Sequence, residues 1–311
     1  MKLAVVMDPI GSIHIAKDST FAMLLAAQRR GWAISYLEPT DLQLRDGRAW
    51  GRARALTVRD DPAGWYTLGA PGLTPLAAFG LILMRQDPPF DLEYIAATYV
   101  LEQAEAEGVQ VVNRARSLRD VNEKFFAARF PELTPPHLVT RAVADLRAFV
   151  DAQGEAVVKP LDRMGGASVF RARHDDPNLN VILEALSENG RRYVMAQRFI
   201  AEIANGDKRI LLIDGEPVPY ALARIPAAGD FRGNLAVGAR GEGRELTARD
   251  RTICAAVGPV LRNLGVRFAG IDVIGDYLTE VNVTSPTCIR ELDRLYGLDI
   301  AGQLLDALAR K

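Results

Sequence analysis

Two carboxylates and one amide lie close together in the segment FAGIDVIGDYLTEVNV, near the end of the chain. Asp272 belongs to its first half, and Glu280 and Asn282 follow two residues apart in LTEVNV. The alternation of apolar and polar residues predicts a β-hairpin, because successive strand side chains point to opposite faces. Two interpretations stay open at this point: a strand with one solvated face, or a site where oxygen ligands hold a hard cation.

The length of the hairpin loop decides whether the two carboxylates share a face. If residues 275–277 form a three-residue loop, Asp272 lies directly opposite Glu280. A two-residue loop would place them on opposite faces. Like charges directly opposite each other repel, so we expect the first register together with a cation between the carboxylates. Mg²⁺ suits such a site, because it binds one or two carboxylates together with substrate phosphates and water.

Two lysines and a glycine pair are candidates for binding phosphate. Lys159 ends the apolar strand AVVKP, where its ammonium is partly dry, and we place Lys124 on a helix, SLRDVNEKFFAARF. The alternative for each lysine is a charge that reaches solvent. Gly165 and Gly166 form a turn between two strands, and their amides can approach phosphate oxygens because glycine has no Cβ. The alternative is a turn with no ligand. The chain has no Walker A loop and no GxGxxG after a strand.

Length and composition narrow the class of protein. A chain of 311 residues suits two or three sub-domains, and 49% apolar with 25% charged residues is ordinary for a soluble globular protein. The net charge of −1 does not indicate nucleic acid or an anionic membrane as a partner. No apolar run is long enough for a signal peptide or a membrane span. Cys254 and Cys288 stand alone, which indicates a reducing cytoplasm, and three scattered histidines make zinc an improbable metal.

The elements that must position these residues begin with a βαβ unit. KLAVVM and WAISYL are predicted strands on either side of the helix STFAMLLAAQRR, which Asp18 caps. LILMR and VQVVN are further strands, so residues 1–118 are predicted to form an open α/β domain with a parallel sheet. ELTPPHLV marks a linker, and Thr140 is expected to cap a helix that ends at Gly154.

The second half of the chain is richer in strand patterns. KRILLID and EPVPYALAR are predicted strands, RELTARDRTICAAVGPVLRNLG is an amphipathic helix, and one last helix closes the chain. Residues 225–242, IPAAGDFRGNLAVGARGE, form a long segment with few bulky side chains and four glycines. Such loops are often active-site lids, although a surface loop with a solvated Arg232 is the alternative.

Several of these motifs, in this order, resemble the ATP-grasp ligases, and most closely the bacterial glutathione synthetases. They are Lys124, Lys159, MGGAS, YVMAQRFI, DVIGD and LTEVNVTSPTCIRE, and the likeness extends to VMDPIGSI, RQDPPFD and GDKRILLIDGEPVPYALARIP. The resemblance covers the whole chain. It implies an N-terminal pre-ATP-grasp domain (1–118) and a two-lobed α+β ATP-grasp domain, with a small lobe (119–200) and a C-terminal lobe (201–311). Arg163 departs from the family, which usually has glycine there, so the geometry or mobility of the phosphate loop is expected to differ.

The family condenses γ-glutamylcysteine with glycine at the expense of ATP. A carboxylate is a poor electrophile at neutral pH, and phosphoryl transfer turns it into an acyl phosphate that the glycine amine attacks. Catalysis then depends on positioning and on neutralising charge. The resemblance therefore implies ATP and Mg²⁺, or Mn²⁺ in its place, as cofactors, and a cytoplasmic homotetramer that acts on small molecules.

The resemblance also implies roles for individual residues. The ATP phosphates would be held by Lys124, Lys159, Gly165 and Gly166, the adenine by Gln197, Phe199 and Ile200, and the ribose by Asp207. Asp272, Glu280 and Asn282 would hold the metal. The catalytic arginines would be Arg209, Arg224 and Arg232, and the substrate residues Arg85, Asp87, Arg224, Ser285 and Thr287. For each arginine the alternative is a solvated strand edge or a surface ion pair.

Two other functions compete with this one. Ligases that join D-alanine residues or add amino acids to a protein tail share the lysines and the metal strand, but not RQDPPFD together with TSPTCIRE. A nucleotide-binding protein that has kept the fold without catalysis, as the synapsins resemble this fold, belongs to a different class. Loss of an acidic metal ligand would favour that class, and Asp272 and Glu280 are both present here.

Overall fold

The computed structural model describes residues 1–310, and its first sheet contains the predicted βαβ unit. Four strands run parallel in the order β2-β1-β7-β8, as expected, and β4 extends the sheet antiparallel to β2. The strands are β1 (Lys2–Met7), β2 (Ala33–Leu37), β3 (Leu42–Arg45), β4 (Arg48–Val58), β5 (Tyr66–Leu68), β6 (Gly72–Pro75), β7 (Leu81–Arg85) and β8 (Gln110–Val112). The helices are α1 (Ser19–Arg29), α2 (Leu92–Ala106) and α3 (Ala115–Asp120).

The strands β3 to β6 were not predicted from the sequence. The first half of β4 buries only small residues, Ala49, Gly51 and Ala53, so the bulky alternation that marks β-structure is missing there, and large buried side chains come only at Leu56 and Val58. A Cβ on Gly51 would overlap the buried side chain of Leu37, so glycine allows the close approach seen here. Close packing, rather than hydrophobicity, therefore determines this part of the sheet.

The second sheet is a small lobe with a hydrophobic core of its own. It has the order β11-β10-β12-β9, from β9 (His137–Thr140), β10 (Glu155–Pro160), β11 (Phe170–Arg173) and β12 (Val194–Arg198). α4 (Val143–Gln153) and α5 (Leu179–Leu186) cover it, with Leu146, Leu183 and Val158 in the core. This core is separate from the two that fill the rest of the protein.

The third sheet shares its cores with the first. Its order is β15-β14-β13-β16-β17, from β13 (Asp207–Ile213), β14 (Glu216–Ile225), β15 (Arg240–Glu245), β16 (Phe268–Ile274) and β17 (Tyr277–Asn282). The helices are α6 (Ala248–Asn263), α7 (Ile289–Tyr296) and α8 (Ile300–Ala309). Ile82 and Ile271 belong to one core, and Leu3 and Leu305 to the other. The first and third sheets therefore pack as one body, to which the small lobe is attached.

Several local predictions were wrong. Lys124 does not lie on a helix: the Asn122 side chain accepts hydrogen bonds from the amides of Lys124 (3.2 Å) and Phe125 (3.0 Å), which replaces the helix with a turn. The segment ELTPPHLV, predicted as a linker, contains the start of β9. Thr140 ends that strand and does not cap α4, whose N-cap is Ala142. The single helix predicted at the end of the chain is in fact two helices, α7 and α8, because Gly297 ends α7 with φ +64°.

The proposed lid is shorter than the sequence suggested. β15 begins at Arg240 and pairs with β14, and a 3₁₀ turn spans Leu235–Val237, so residues 226–239 connect the two strands. None of the helices described between residues 1 and 310 is long and apolar enough to cross a membrane.

Candidate active site

The hairpin of β16 and β17 has a two-residue turn, not the expected three-residue loop. Ile274 pairs with Tyr277, which alone would put Asp272 and Glu280 on opposite faces. A β-bulge follows, however, and Thr279 is the extra residue, so that Asp272 pairs with Glu280 after all. The Thr279 hydroxyl donates to the carbonyl oxygen of Asp272 at 3.1 Å and holds the bulge. The two carboxylates therefore share a face.

Asp272 is neutralised by the protein itself. Its carboxylate accepts hydrogen bonds from Arg209 Nε (2.5 Å) and Nη2 (2.9 Å), from Arg224 Nη2 (2.9 Å) and from Asn282 Nδ2 (3.2 Å). Burial alone would raise its pKa, but the two guanidinium groups hold the pKa of Asp272 well below its usual range. Two arginines from β13 and β14 thus supply positive charge beside this carboxylate, a contribution that the sequence prediction of a cation did not include.

Glu280 has a cationic partner from the small lobe. Lys159 Nζ donates to its Oε1 at 3.1 Å, and Lys159 is only 5% exposed. Burial raises the pKa of the Glu280 carboxyl, but Lys159 and Lys124 together bring it below its usual range. Lys124 is 4% exposed, and its Nζ donates to the Arg163 carbonyl at 2.5 Å. Neither lysine thus reaches out into solvent, and both face the same cleft.

This cleft contains about 790 Å³ of space between the small lobe and the third sheet, part of it open to solvent. Every residue predicted to bind the nucleotide lines it: Lys124, Lys159, Gly165, Gly166, Gln197, Phe199, Ile200 and Asp207. Glu280 and Arg232 line it as well. The other predicted residues are not part of the lining. Arg224 connects the two groups, because it donates both to Asp207 on the cleft wall and to Asp272.

Two buried polar atoms in the cleft have no partner within residues 1–310. They are Gln197 Nε2, a donor, and Asp207 Oδ1, an acceptor. The amides of Arg198 and Phe199 are already bound to the carbonyls of Pro136 (2.9 Å) and Glu155 (3.2 Å). Unpaired buried groups are costly, so a donor and an acceptor left open in a cleft indicate a polar ligand. Burial raises the pKa of Asp207 to about 6 despite its pairing with Arg224.

The lid segment packs on the glycine turn. Gly165 and Gly166 have φ +67° and +78°, and a Cβ on Gly166 would lie 2.8 Å from Asn234 Oδ1 and 3.2 Å from Arg232 Cδ. Arg232 donates to Asp230 (2.7 Å) and to the Gly166 carbonyl (3.3 Å). Glycine at 166 therefore allows residues 226–239 to pack closely on the turn.

The predicted substrate residues lie where the N-terminal domain meets the loop after β17. Arg85 is 5% exposed and donates to Thr20 Oγ1 (3.0 Å) and to the Pro286 carbonyl (2.9 Å). The Asp87 carboxylate accepts a hydrogen bond from the Ser285 side chain, which lowers its pKa. Burial has the larger effect, so the pKa of Asp87 is raised. The Thr287 hydroxyl lies 3.8 Å from Cys288 Sγ. RQDPPFD and TSPT are thus held together, and Arg85 is engaged with protein groups.

Sequence reasoning missed Glu123. Its carbonyl accepts from the Val281 amide (2.8 Å), which attaches it to β17, and its Oε1 accepts from Thr284 Oγ1 (2.7 Å). Burial raises the pKa of this carboxyl. The sequence does contain a signal for Glu123, because this acidic residue directly precedes Lys124, a candidate phosphate-binding residue. Gly233 was missed too: a Cβ there would lie 2.6 Å from Asp207 Cβ, so the segment 226–239 needs glycine at this point.

Comparison with known proteins decides the family. The model of the prokaryotic glutathione synthetase N-terminal domain matches residues 1–119, and that of the prokaryotic glutathione synthetase ATP-grasp domain matches residues 123–297. This chain belongs to the prokaryotic glutathione synthetase family. Like the other members of this ligase family, it is an ATP-dependent ligase, and the fold class predicted from the sequence is confirmed.

Relatives in the glutathione synthetase family align over almost their whole length. The glutathione synthetases of Xanthomonas campestris pv. campestris, Pseudomonas putida and Vibrio cholerae are 60%, 58% and 56% identical to this chain. The alignments cover 99–100% of this chain and 98% of each relative.

Solved structures share the fold at low sequence identity. D-cycloserine synthetase DcsG has a TM-score of 0.70 at 17% identity and 99% coverage of both chains. The ATP-grasp ligase PsnB, complexed with a minimal precursor, Mg and ADP, has a TM-score of 0.61 at 16% identity, with 99% of this chain and 96% of PsnB covered. These likenesses concern the fold alone.

Proposed function

We propose that this chain ligates γ-glutamylcysteine and glycine, with ATP and Mg²⁺, to give glutathione, ADP and phosphate. The observation that carries the proposal is the meeting of Lys124, Lys159 and Glu280 in one cleft, next to the paired Arg224 and Asp272. The names of the full-length relatives support the choice of substrates. ATP, when bound, supplies the phosphoryl group that makes the peptide carboxylate electrophilic as an acyl phosphate.

We infer that the nucleotide lies along the cleft with its phosphates at the lysine end. Lys124, Lys159 and the amides of Gly165 and Gly166 would bind the phosphates. Gln197, Phe199 and Ile200 would contact the adenine at the other end, and Asp207 would accept from the ribose. The open donor on Gln197 and the open acceptor on Asp207 fit these two roles.

The residues for a divalent cation are compatible with Mg²⁺, and with Mn²⁺ in its place. Asn282 turns its Nδ2 to Asp272, which leaves its carbonyl oxygen for a ligand, and Glu280 uses only Oε1 for Lys159. Carboxylate and amide oxygens are the hard ligands that these ions bind. Such a cation would supply positive charge to the phosphate groups, and Arg209 and Arg224, which pair with Asp272, would add to that charge.

For the substrates we infer a site formed by Arg224, Arg85, Asp87, Ser285 and Thr287. Arg85 contributes by holding the Pro286 carbonyl, which sets the position of the TSPT loop. Arg209, Arg224 and Arg232 would neutralise charge during the reaction. Because the phosphorylated carboxylate must be kept from water, closure of residues 226–239 over it is part of the proposal.

We further propose domain boundaries near residues 118 and 200, a cytoplasmic location and a homotetramer. Both cysteines are buried free thiols, which is typical of proteins in a reducing compartment. The tetramer follows from family resemblance, and gel filtration with light scattering tests it. We expect small molecules as the partners of the site, rather than nucleic acid or a membrane.

Phosphate release in the presence of γ-glutamylcysteine and a series of acceptor amino acids tests the function. We expect release to require the peptide and to be fastest with glycine, with glutathione as the product. Release that requires D-alanine, or a protein tail in place of the peptide, would favour another ATP-grasp ligase. Nucleotide binding without release under any condition would favour the non-catalytic alternative.

A further inference from the structure

Arg163 lies in the loop between β10 and the glycine turn. Its carbonyl oxygen accepts the hydrogen bond from Lys124 Nζ, so its backbone is next to an ammonium group that faces the cleft. The side chain is exposed and lines both the nucleotide cleft and a smaller neighbouring pocket, which also contains Asp162 and Glu123. Arg163 thus stands at the lysine end of the cleft.

Unlike its charged neighbours, the Arg163 guanidinium is uncommitted. Lys159 pairs with Glu280, Arg232 with Asp230, and Arg198 with the Tyr277 hydroxyl at 2.9 Å. The nearby carboxylate of Asp162 is bound by Arg192 at 2.6 Å. No hydrogen bond or ion pair within residues 1–310 engages the side chain of Arg163. A ligand can therefore bind it without breaking an internal contact.

The charge of the cleft lining indicates what that ligand is. Five cationic side chains (Lys124, Lys159, Arg163, Arg198 and Arg232) face two anionic ones (Asp207 and Glu280). The excess of positive charge matches a polyphosphate, and a guanidinium binds phosphate oxygens through two parallel hydrogen bonds. Asp207 is already paired with Arg224 and Arg232 with Asp230, so the excess comes from Lys124, Arg163 and Arg198.

We propose that Arg163 is a further phosphate-binding residue, whose guanidinium contacts the polyphosphate of the bound nucleotide beside Lys124. This proposal rests on ATP as the nucleotide of the proposed function. The exposed side chain must become ordered on binding, which offsets part of the gain, so the effect is moderate.

Calorimetric titration of the whole protein with a non-hydrolysable ATP analogue and Mg²⁺, without peptide or glycine, tests the proposal. We expect Arg163→Gln to weaken binding of the analogue about tenfold, equivalent to ~1.4 kcal/mol. Binding of adenosine, measured by competition with a fluorescent ATP analogue, stays within about twofold of the wild type, because adenosine has no phosphate. Arg163→Lys recovers part of the loss, since a point charge replaces the bidentate contact.

Arg173→Gln is the matched control. Arg173 is exposed on the same lobe and pairs with Asp175, and its substitution removes the same charge at a position away from the cleft. Equal affinity of wild type and Arg163→Gln for the analogue would overturn the proposal. An equal loss for adenosine, or an equal loss in the control, would also overturn it, because the cause would then be loop disruption or overall charge. A wild type that binds the analogue but shows no ligation would contradict the proposed function and leave the Arg163 result standing.

Discussion

Asp272 and Glu280 lie directly opposite each other on adjacent strands, although the turn between those strands has only two residues. The bulge at Thr279 restores the pairing that a two-residue turn would otherwise remove. Each carboxylate has its own cationic partner, an arginine pair for Asp272 and Lys159 for Glu280. These pairings offset the repulsion between the two carboxylates on the shared face.

Glu280→Gln is expected to reduce ligation by roughly a hundredfold or more while the nucleotide still binds weakly. Glutamine keeps the size of the side chain but removes the negative charge that would hold the cation and that pairs with Lys159. Steady-state kinetics over a range of Mg²⁺ concentrations, with nucleotide titration, measures both effects. Glu245→Gln, an exposed position on β15, is the control. Turnover close to that of the wild type at saturating Mg²⁺ would contradict the metal assignment.

Residues 226–239 should be cleaved by limited proteolysis in the free protein and protected by nucleotide with peptide substrate. The segment has little regular structure and contacts the rest of the protein partly through Arg232 and Asn234 at the glycine turn. Mass spectrometry of the fragments locates the cuts. Equal protection with and without ligands would show that the segment is not a lid.

Arg232→Ala is expected to increase ATP hydrolysis relative to glutathione formation. Its side chain joins the segment to the Gly166 carbonyl, and a loosely closed lid admits water to the phosphorylated carboxylate. The ratio of phosphate released to glutathione formed measures the coupling. Arg240→Ala, at an exposed position of β15, should leave this ratio unchanged. Full coupling in the Arg232 variant would contradict the closing role.

Cys288→Ser should keep kcat/KM close to the wild-type value while lowering the free energy of unfolding by ~1–2 kcal/mol. Cys288 is 1% exposed, and burial raises the pKa of its thiol, so it remains protonated at neutral pH and is no nucleophile. Denaturant unfolding and kinetics on the same preparation separate the two effects. Cys254→Ser, also buried, is the control. A folded, stable Cys288 variant without activity would assign the thiol a role in the reaction.

Asp293→Asn should stabilise the protein at neutral pH by ~1 kcal/mol, a value discounted because the site is half exposed. Burial raises the pKa of Asp293 to about 6, and Asp299 adds repulsion, so the ionised form is disfavoured in the folded state. Its position in the last turn of α7 is also unfavourable for a negative charge. Asparagine keeps the oxygen that accepts from the Ile300 amide.

The sign of this effect follows from proton linkage. Because the pKa of Asp293 is higher in the folded protein than in the unfolded chain, the contribution of Asp293 to wild-type stability falls as pH rises from about 4 to about 6. The advantage of the variant is thus complete above pH 6 and disappears below pH 4. Thermal unfolding of both proteins across this range measures it, with Asp61→Asn, a half-exposed residue in the loop after β4, as the control. A stability difference independent of pH would contradict the explanation.

Predictions from the sequence succeeded where a strong hydrophobic period or a local cap determines the element. KLAVVM, LILMR and the helix capped by Asp18 form as predicted, and the Asp18 carboxylate accepts from the Phe21 amide. They failed where a side chain or a small residue overrides the period. Asn122 breaks the predicted helix at Lys124, and the first half of β4 buries only small residues, so its alternation is not visible in the sequence.

The sequence by itself determined the family, the βαβ unit at the start of the chain and the types of residue available for phosphate and metal binding. Only the tertiary structure decided how those residues combine. Arg224 meets both Asp207 and Asp272, and Lys159 crosses from the small lobe to Glu280, which lies 121 residues further along the chain. The physical reason is that local patterns report backbone conformation and burial. The pairing of charges across separate sheets depends on strand register, and here one bulge at Thr279 determines it.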